Sequence, residues 1–130
     1  MQYKERTVAA PGVTPEAKAY WDAASTGKLL VKYCTACQEY HHYPRALCPH
    51  CFSDTTEWRE ARGTGTLYSY SISRRAEPPF TMAYVTLDEG VTMMTNIVDC
   101  DAEALEVGQK VKVVFKPSDG GPAVPMFTPV

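Results

Sequence analysis

Cys34-Thr35-Ala36-Cys37 and, ten residues further on, Cys48-Pro49-His50-Cys51 decide how this chain folds. Each Cys-x-x-Cys hook turns two thiolates from one tight backbone bend onto a common point. The ten-residue spacer is long enough to fold the second hook back against the first. Four converging thiolates make a tetrahedral site of the kind Zn²⁺ accepts when its role is structural. Two disulfides are the competing reading. They fit poorly with an odd number of cysteines, five in all, and with a start that carries no apolar signal segment.

Around the hooks, residues 28–61 read as a rubredoxin-like zinc ribbon. Leu29 to Tyr33 form a strand leading into the first hook, and Thr56 to Glu60 a strand leading out of the second. A unit this small cannot bury enough apolar surface to fold alone. Metal binding, worth ~10–16 kcal/mol in small zinc peptides, supplies what the core lacks. One structural zinc per chain is expected, on Cys34, Cys37, Cys48 and Cys51. Catalysis at the metal would need an open coordination position, and four thiolates leave none. Iron accepts the same ligands; the glycines that commonly follow redox hooks are replaced here by Gln38 and Phe52.

N-terminal to the ribbon, residues 1–27 divide into an extended arm and a helix. Thr14 reads as its N-cap, Pro15 as the first helical residue, and Glu16 as favoured by the helix dipole. Ala17, Tyr20, Trp21 and Ala24 then follow at helical spacing as one apolar stripe, which Gly27 ends. Tyr20 and Trp21 have two readings: packing on the body of the protein, or anchoring a partner.

Beyond the ribbon the hydrophobic period changes from 3.6 to 2. After Gly63-x-Gly65, residues Tyr68, Tyr70 and Ile72 alternate with serines as a half-buried strand. Ala83, Val85 and Leu87 mark a second strand, and Asp88-Glu89-Gly90 a tight turn into a third over Val91 to Val98. A short helical segment capped by Asp101 precedes a fourth strand through Val111, Val113 and Phe115. Ser118 to Gly121 turn the chain into a fifth strand at Val124 to Thr128. Five strands with a helical segment between the third and fourth follow the OB-fold order over residues 62–130; a generic five-stranded barrel is the alternative. The whole is a mainly β chain with an N-terminal helix, a zinc ribbon and a C-terminal five-stranded barrel.

Composition narrows the function. No apolar run approaches the ~18 residues that cross a bilayer, so a membrane span is excluded. The formal charge of −2 falls to about −4 once four thiolates and one zinc dication are counted, so the chain has no global attraction for a polyanion. Cys100, outside the hooks, reads as a small half-buried hydrophobe in a reducing cytoplasm.

These motifs together resemble the DUF35 family, small zinc-ribbon/OB-fold proteins associated with acyl-CoA enzymes. The matching segments are Trp21 with Gly27-Lys28-Leu29-Leu30, Cys34-x-x-Cys37, Tyr43-Pro44-Arg45-x-x-Cys48-Pro49-x-Cys51, and Gly63-x-Gly65-Thr66-Leu67-Tyr68-Ser69-Tyr70. They continue with Tyr84-Val85-x-Leu87-Asp88-Glu89-Gly90, Val107-Gly108-Gln109-x-Val111 and Pro125-Met126-Phe127. The resemblance implies a non-catalytic subunit in a hetero-oligomer with a thiolase-superfamily protein, with CoA or acyl-CoA held near the partner's active-site mouth. The segment Arg74 to Thr81 looks short for the family, and it borders that presumed binding surface.

A thiolase-type site needs a nucleophilic cysteine and acid/base groups brought together. Only Cys100 is free of the hooks, and His41, His42 and His50 all belong to the ribbon, so no catalytic residue is expected in this chain. Arg74, Arg75 and Lys116 form a candidate patch for the phosphates of CoA, with plain solvated surface as the alternative. Tyr20 and Trp21 are the candidate partner contacts. Nucleic-acid binding, the other function common to ribbons and OB-folds, wants a basic groove among exposed aromatics. The rings are present as Tyr68, Tyr70 and Tyr84, but the cations are scattered.

Overall fold

The computed structural model describes all 130 residues. A 3₁₀ turn, Pro15–Ala17, runs into helix α1, Lys18–Ala24. Thr14 makes no side-chain cap; its carbonyl accepts from the Ala17 amide instead, at 3.0 Å, which explains the tighter first turn. The ribbon is an antiparallel sheet in the order β2-β1-β3, with β1 at Leu30–Cys34, β2 at Glu39–His41 and β3 at Thr56–Glu60. Residues 1–13 form neither helix nor strand. They lie along the barrel, with the Tyr3 amide on the Cys100 carbonyl at 3.0 Å and the Arg6 guanidinium over the Phe80 ring at 4.4 Å.

The C-terminal strands are β4 at Thr64–Ser73, β5 at Phe80–Leu87, β6 at Thr92–Ile97, β7 at Lys110–Lys116 and β8 at Val124–Pro129. They close into a barrel in the order β4-β5-β6-β8-β7, antiparallel except for the parallel contact of β6 with β8. A 3₁₀ turn at Ala102–Ala104 joins β6 to β7, and Asp101 caps it by accepting from the Glu103 amide at 3.0 Å. This is the five-stranded OB-fold expected from the sequence. Its interior is closed by Leu67, Val85, Leu87, Val111 and Phe127, all essentially inaccessible to solvent. Gly65 is required where β4 crosses β5: a Cβ there would sit 2.5 Å from the Thr86 carbonyl oxygen.

The phase expected for the first barrel strand is corrected at one residue. β4 carries a bulge between Leu67 and Ser69, so the inward face changes from odd to even positions along the strand. Gly65 and Leu67 point inward before the bulge, and Tyr70 and Ile72 are half-buried after it. Tyr68 is the extra residue and stands out in solvent, 65% exposed.

Candidate metal centre and surrounding surfaces

The first hook leaves the end of β1 and the second precedes β3, and both close as the same kind of turn. The Gln38 amide donates to the Cys34 carbonyl and the Phe52 amide to the Cys48 carbonyl, each at 2.8 Å. That closure needs a left-handed residue after each second cysteine, and Gln38 (φ 60°) and Phe52 (φ 63°) supply it without being glycine. The missing glycines therefore leave the hook geometry unchanged. The hooks are tied together by the Thr35 amide on the Thr55 carbonyl at 3.0 Å.

The four sulfurs all lie within 4.8 Å of one another. Cys34 Sγ is 3.6 Å from Cys51 Sγ, and Cys37 Sγ is 3.6 Å from Cys48 Sγ. A tetrahedron with Zn–S bonds of about 2.3 Å has edges of about 3.8 Å, so the spacing matches a tetrathiolate and is far beyond the ~2.05 Å of a disulfide. Amides support the sulfurs: His50 N–H lies 3.4 Å from Cys48 Sγ, and the amides of Cys37 and Ala36 pull the Cys34 thiol down to about 6. Desolvation pushes the neighbouring Cys37 thiol up to about 12. Like groups this close cannot all ionise until a dication shares their charge. His50 turns away, its Nε2 3.4 Å from the Tyr40 carbonyl, so the ligand set is the four cysteines. These residues would hold one zinc, which supplies cross-linking of the ribbon.

Tyr20 and Trp21 do not form an outer surface. They are 3% and 8% exposed and belong to the main core. Their rings meet edge-on at 4.9 Å, and the Trp21 indole N–H donates to Tyr43 Oη at 2.7 Å. Of the two readings of this stripe, burial gives Tyr20 and Trp21 a core role: with Ala17 and Ala24 they join helix, ribbon and barrel, and only their rims are left for a partner. His42 completes the cluster, 3.3 Å from Tyr20 Oη, and burial holds its imidazole down to about 4. Only the rims of these side chains reach solvent, lining a cleft of about 410 Å³ with Tyr43, Tyr84, Met93 and Met94.

The candidate cations are mostly committed within the chain. Arg74 donates both guanidinium nitrogens to Glu103. Lys116 reaches Asp99 at 2.8 Å and Glu5 at 3.4 Å, and its ammonium pKa is raised by the Asp99 contact. Arg75 alone makes no ion pair. Cys100 is half-buried, and its thiol is pushed up by burial and then by Asp101 and Asp99. A thiol held protonated among carboxylates is a poor nucleophile.

Sequence reasoning named Tyr84 only as an exposed ring and missed the methionines beside it on the outside of β5 and β6: Met82, Tyr84 and Met94 are 45%, 47% and 63% exposed. The signal was present as alternation: with Ala83 and Val85 pointing inward on β5, and Met93 and Thr95 on β6, these apolar residues had to point outward.

Two family descriptions match this chain in tandem. The rubredoxin-like zinc ribbon domain of ChsH2 covers residues 21–57, and the C-terminal OB-fold domain of ChsH2 covers residues 58–116. The solved structure described as the Ltp2-ChsH2(DUF35) aldolase superposes with a TM-score of 0.80 at 31% identity, covering 92% of this chain and 98% of that one. The chain belongs to the DUF35 family. A DUF35 domain-containing scaffold protein of Methanothermobacter thermautotrophicus is 31% identical over 90 residues, covering 64% of this chain and 68% of the relative. A DUF35 protein of unknown function from Sulfolobus solfataricus shares the fold with a TM-score of 0.65 at 17% identity. A probable enoyl-CoA hydratase alpha subunit of Thermomonospora curvata is 32% identical over 124 residues, and the chain spans 39% of its length.

Proposed function

We propose that this chain is a non-catalytic scaffold subunit that assembles, in the cytoplasm, with a thiolase-superfamily enzyme acting on acyl-CoA thioesters. The observation that carries the reading is the likeness, over nearly the whole chain, to the DUF35 component of an aldolase named for two proteins. The chemistry of the residues agrees with it. The four hook sulfurs would be taken up by one ion, the Cys100 thiol is held protonated by burial and by Asp101 and Asp99, and His42 packs against Tyr20. Nothing in this chain assembles the nucleophile and acid/base pair that acyl transfer requires.

In this reading the barrel helps to hold CoA at the partner's entrance. Phosphate contacts come first from Arg75, the one of the three candidate cations free of a carboxylate. Arg74 and Lys116 contribute only by leaving Glu103 and Asp99. The residue ranges 1–27, 28–61 and 62–130 then divide the work into joining, folding and binding segments.

The test is co-expression with each thiolase-superfamily protein encoded in the same genome, followed by turnover of acyl-CoA by the isolated chain and by any co-purified complex. The proposal expects no turnover from the chain alone and more from a complex than from either part. In that complex Arg75→Ala raises the KM for acyl-CoA more than Arg74→Ala does. Turnover by the isolated chain refutes the reading.

A further inference from the structure

Three cross-strand rows cover the outside of the barrel over β4, β5 and β6: Ser71–Met82–Asn96, Ser69–Tyr84–Met94 and Thr66–Thr86–Thr92. None of the nine residues is charged. Surfaces of small domains carry roughly 25–35% charged residues, so nine outward positions would ordinarily hold two or three. The adjoining strand β7 behaves in the ordinary way, presenting Lys110 and Lys112 to solvent. The absence of charge is therefore local to this face.

The face is also apolar and shaped. Met82, Tyr84, Met94 and the bulged Tyr68 expose about half to two-thirds of themselves; at ~150–250 Å² for large side chains this is on the order of 400 Å². Tyr84 and Met94 stand between two depressions, the junction cleft of about 410 Å³ and a second of about 190 Å³ against Ser69, Ser71 and Met82. Methionine and tyrosine without charge is the composition of interface centres. A standard interface buries ~800 Å² per partner, so this patch is the right size for the middle of one. The two cations that touch this face, Arg6 on Asn96 Oδ1 at 2.9 Å and Lys110 on Thr66 Oγ1 at 3.2 Å, lie in its two outer rows, so an anionic ligand finds no cation in the central Tyr84–Met94 row.

We propose that this face, centred on the Tyr84–Met94 row, docks against an uncharged apolar patch of the catalytic partner, which seats side chains in the two depressions. The proposal rests on the scaffold reading above and names the surface that performs it. A second copy of this chain is the poorer occupant. An isologous contact uses the same patch on both copies, so the single Tyr84–Met94 ridge of each can fill one depression of the other and leaves the second empty.

The experiment compares wild type, Met94→Asp, Tyr84→Ala and, as control on β7, Lys112→Asp for binding to the thiolase-superfamily protein that co-purifies with wild type. Zinc content and melting temperature of each variant establish that it is folded. A photo-crosslinking amino acid placed at position 94 or at position 112 gives a readout independent of affinity. The expected result is weakening of about tenfold or more for Met94→Asp and Tyr84→Ala, none for Lys112→Asp, and cross-links to the partner from position 94 alone. If wild type binds and all variants bind equally, with cross-links from position 112 only, this surface is wrong while the scaffold reading stands. If no thiolase-superfamily protein binds wild type, both fall. If the isolated chain is a dimer that Met94→Asp dissociates, the occupant is a second copy and the proposal is overturned.

Discussion

Replacing Trp21 by alanine separates the core role of this residue from an interface role. Trp21 is 8% exposed, lies edge-on to Tyr20 at 4.9 Å and donates its indole N–H to Tyr43 Oη at 2.7 Å. Truncating a buried tryptophan costs about 3–5 kcal/mol, lost transfer and residual cavity together. Unfolding entropy of ~2.1 cal/mol/K per residue makes each kcal/mol worth about 4 °C at this chain length. Trp21→Ala is therefore expected to lower the Tm by about 11–18 °C. Trp21→Phe, which keeps a ring but loses the hydrogen bond, costs about 1–2 kcal/mol. Thermal unfolding followed by circular dichroism, with zinc content held equal, gives both numbers. Partner binding measured well below the new Tm falls less than for Tyr84→Ala, because only the rim of Trp21 reaches the junction cleft. A Tm within about 3 °C of wild type, or lost binding in a normally melting protein, refutes the core assignment.

Three further outcomes follow from the geometry. The His42 imidazole is held down to about 4 by burial, whereas in the unfolded chain it titrates near 6.5. The unfolded state therefore binds the extra proton first, stability is lost as pH falls from 6.5 toward 4, and about 2 kcal/mol is gone by pH 5. His42→Gln flattens that part of the pH–stability curve in denaturant titrations. Phe52 holds φ 63° while 78% exposed, so Phe52→Gly relieves strain and raises stability by up to about 1 kcal/mol in urea unfolding; a loss of that size contradicts the strain reading. Chelation of the metal, or Cys37→Ser, should abolish hydrogen-exchange protection in β1–β3 while β4–β8 keep theirs, because the ribbon lacks a sufficient core of its own.

The parts of the fold that rest on local chemistry were readable from residues alone. Paired cysteines at short spacing define the ribbon, and alternation at Ala83, Val85 and Leu87 defines a strand and its buried face. Asp88-Glu89-Gly90 marks a turn because Gly90 takes φ 97°. The bulge at Tyr68 was not readable: it arises from how β4 must bend to pair with β5 at one end and β7 at the other. Trp21 illustrates a second limit. A stripe of Tyr and Trp on a short helix has the same pattern whether it meets the chain's own barrel or another protein. Only the placement of Tyr43 and His42 opposite it decides. Charge has the same ambiguity, since the carboxylates that neutralise Arg74 and Lys116 lie 29 and 17 residues away.

Native mass spectrometry of the chain co-expressed with the thiolase-superfamily proteins of its genome tests the central claim most directly. The account predicts a hetero-oligomer in which every copy of this chain carries one zinc, and in which Cys37→Ser removes the metal and, by unfolding the ribbon side of the junction cleft, weakens the assembly. A zinc-free chain that enters the complex at full occupancy, or a zinc-loaded chain that stays alone beside every such protein, would contradict it.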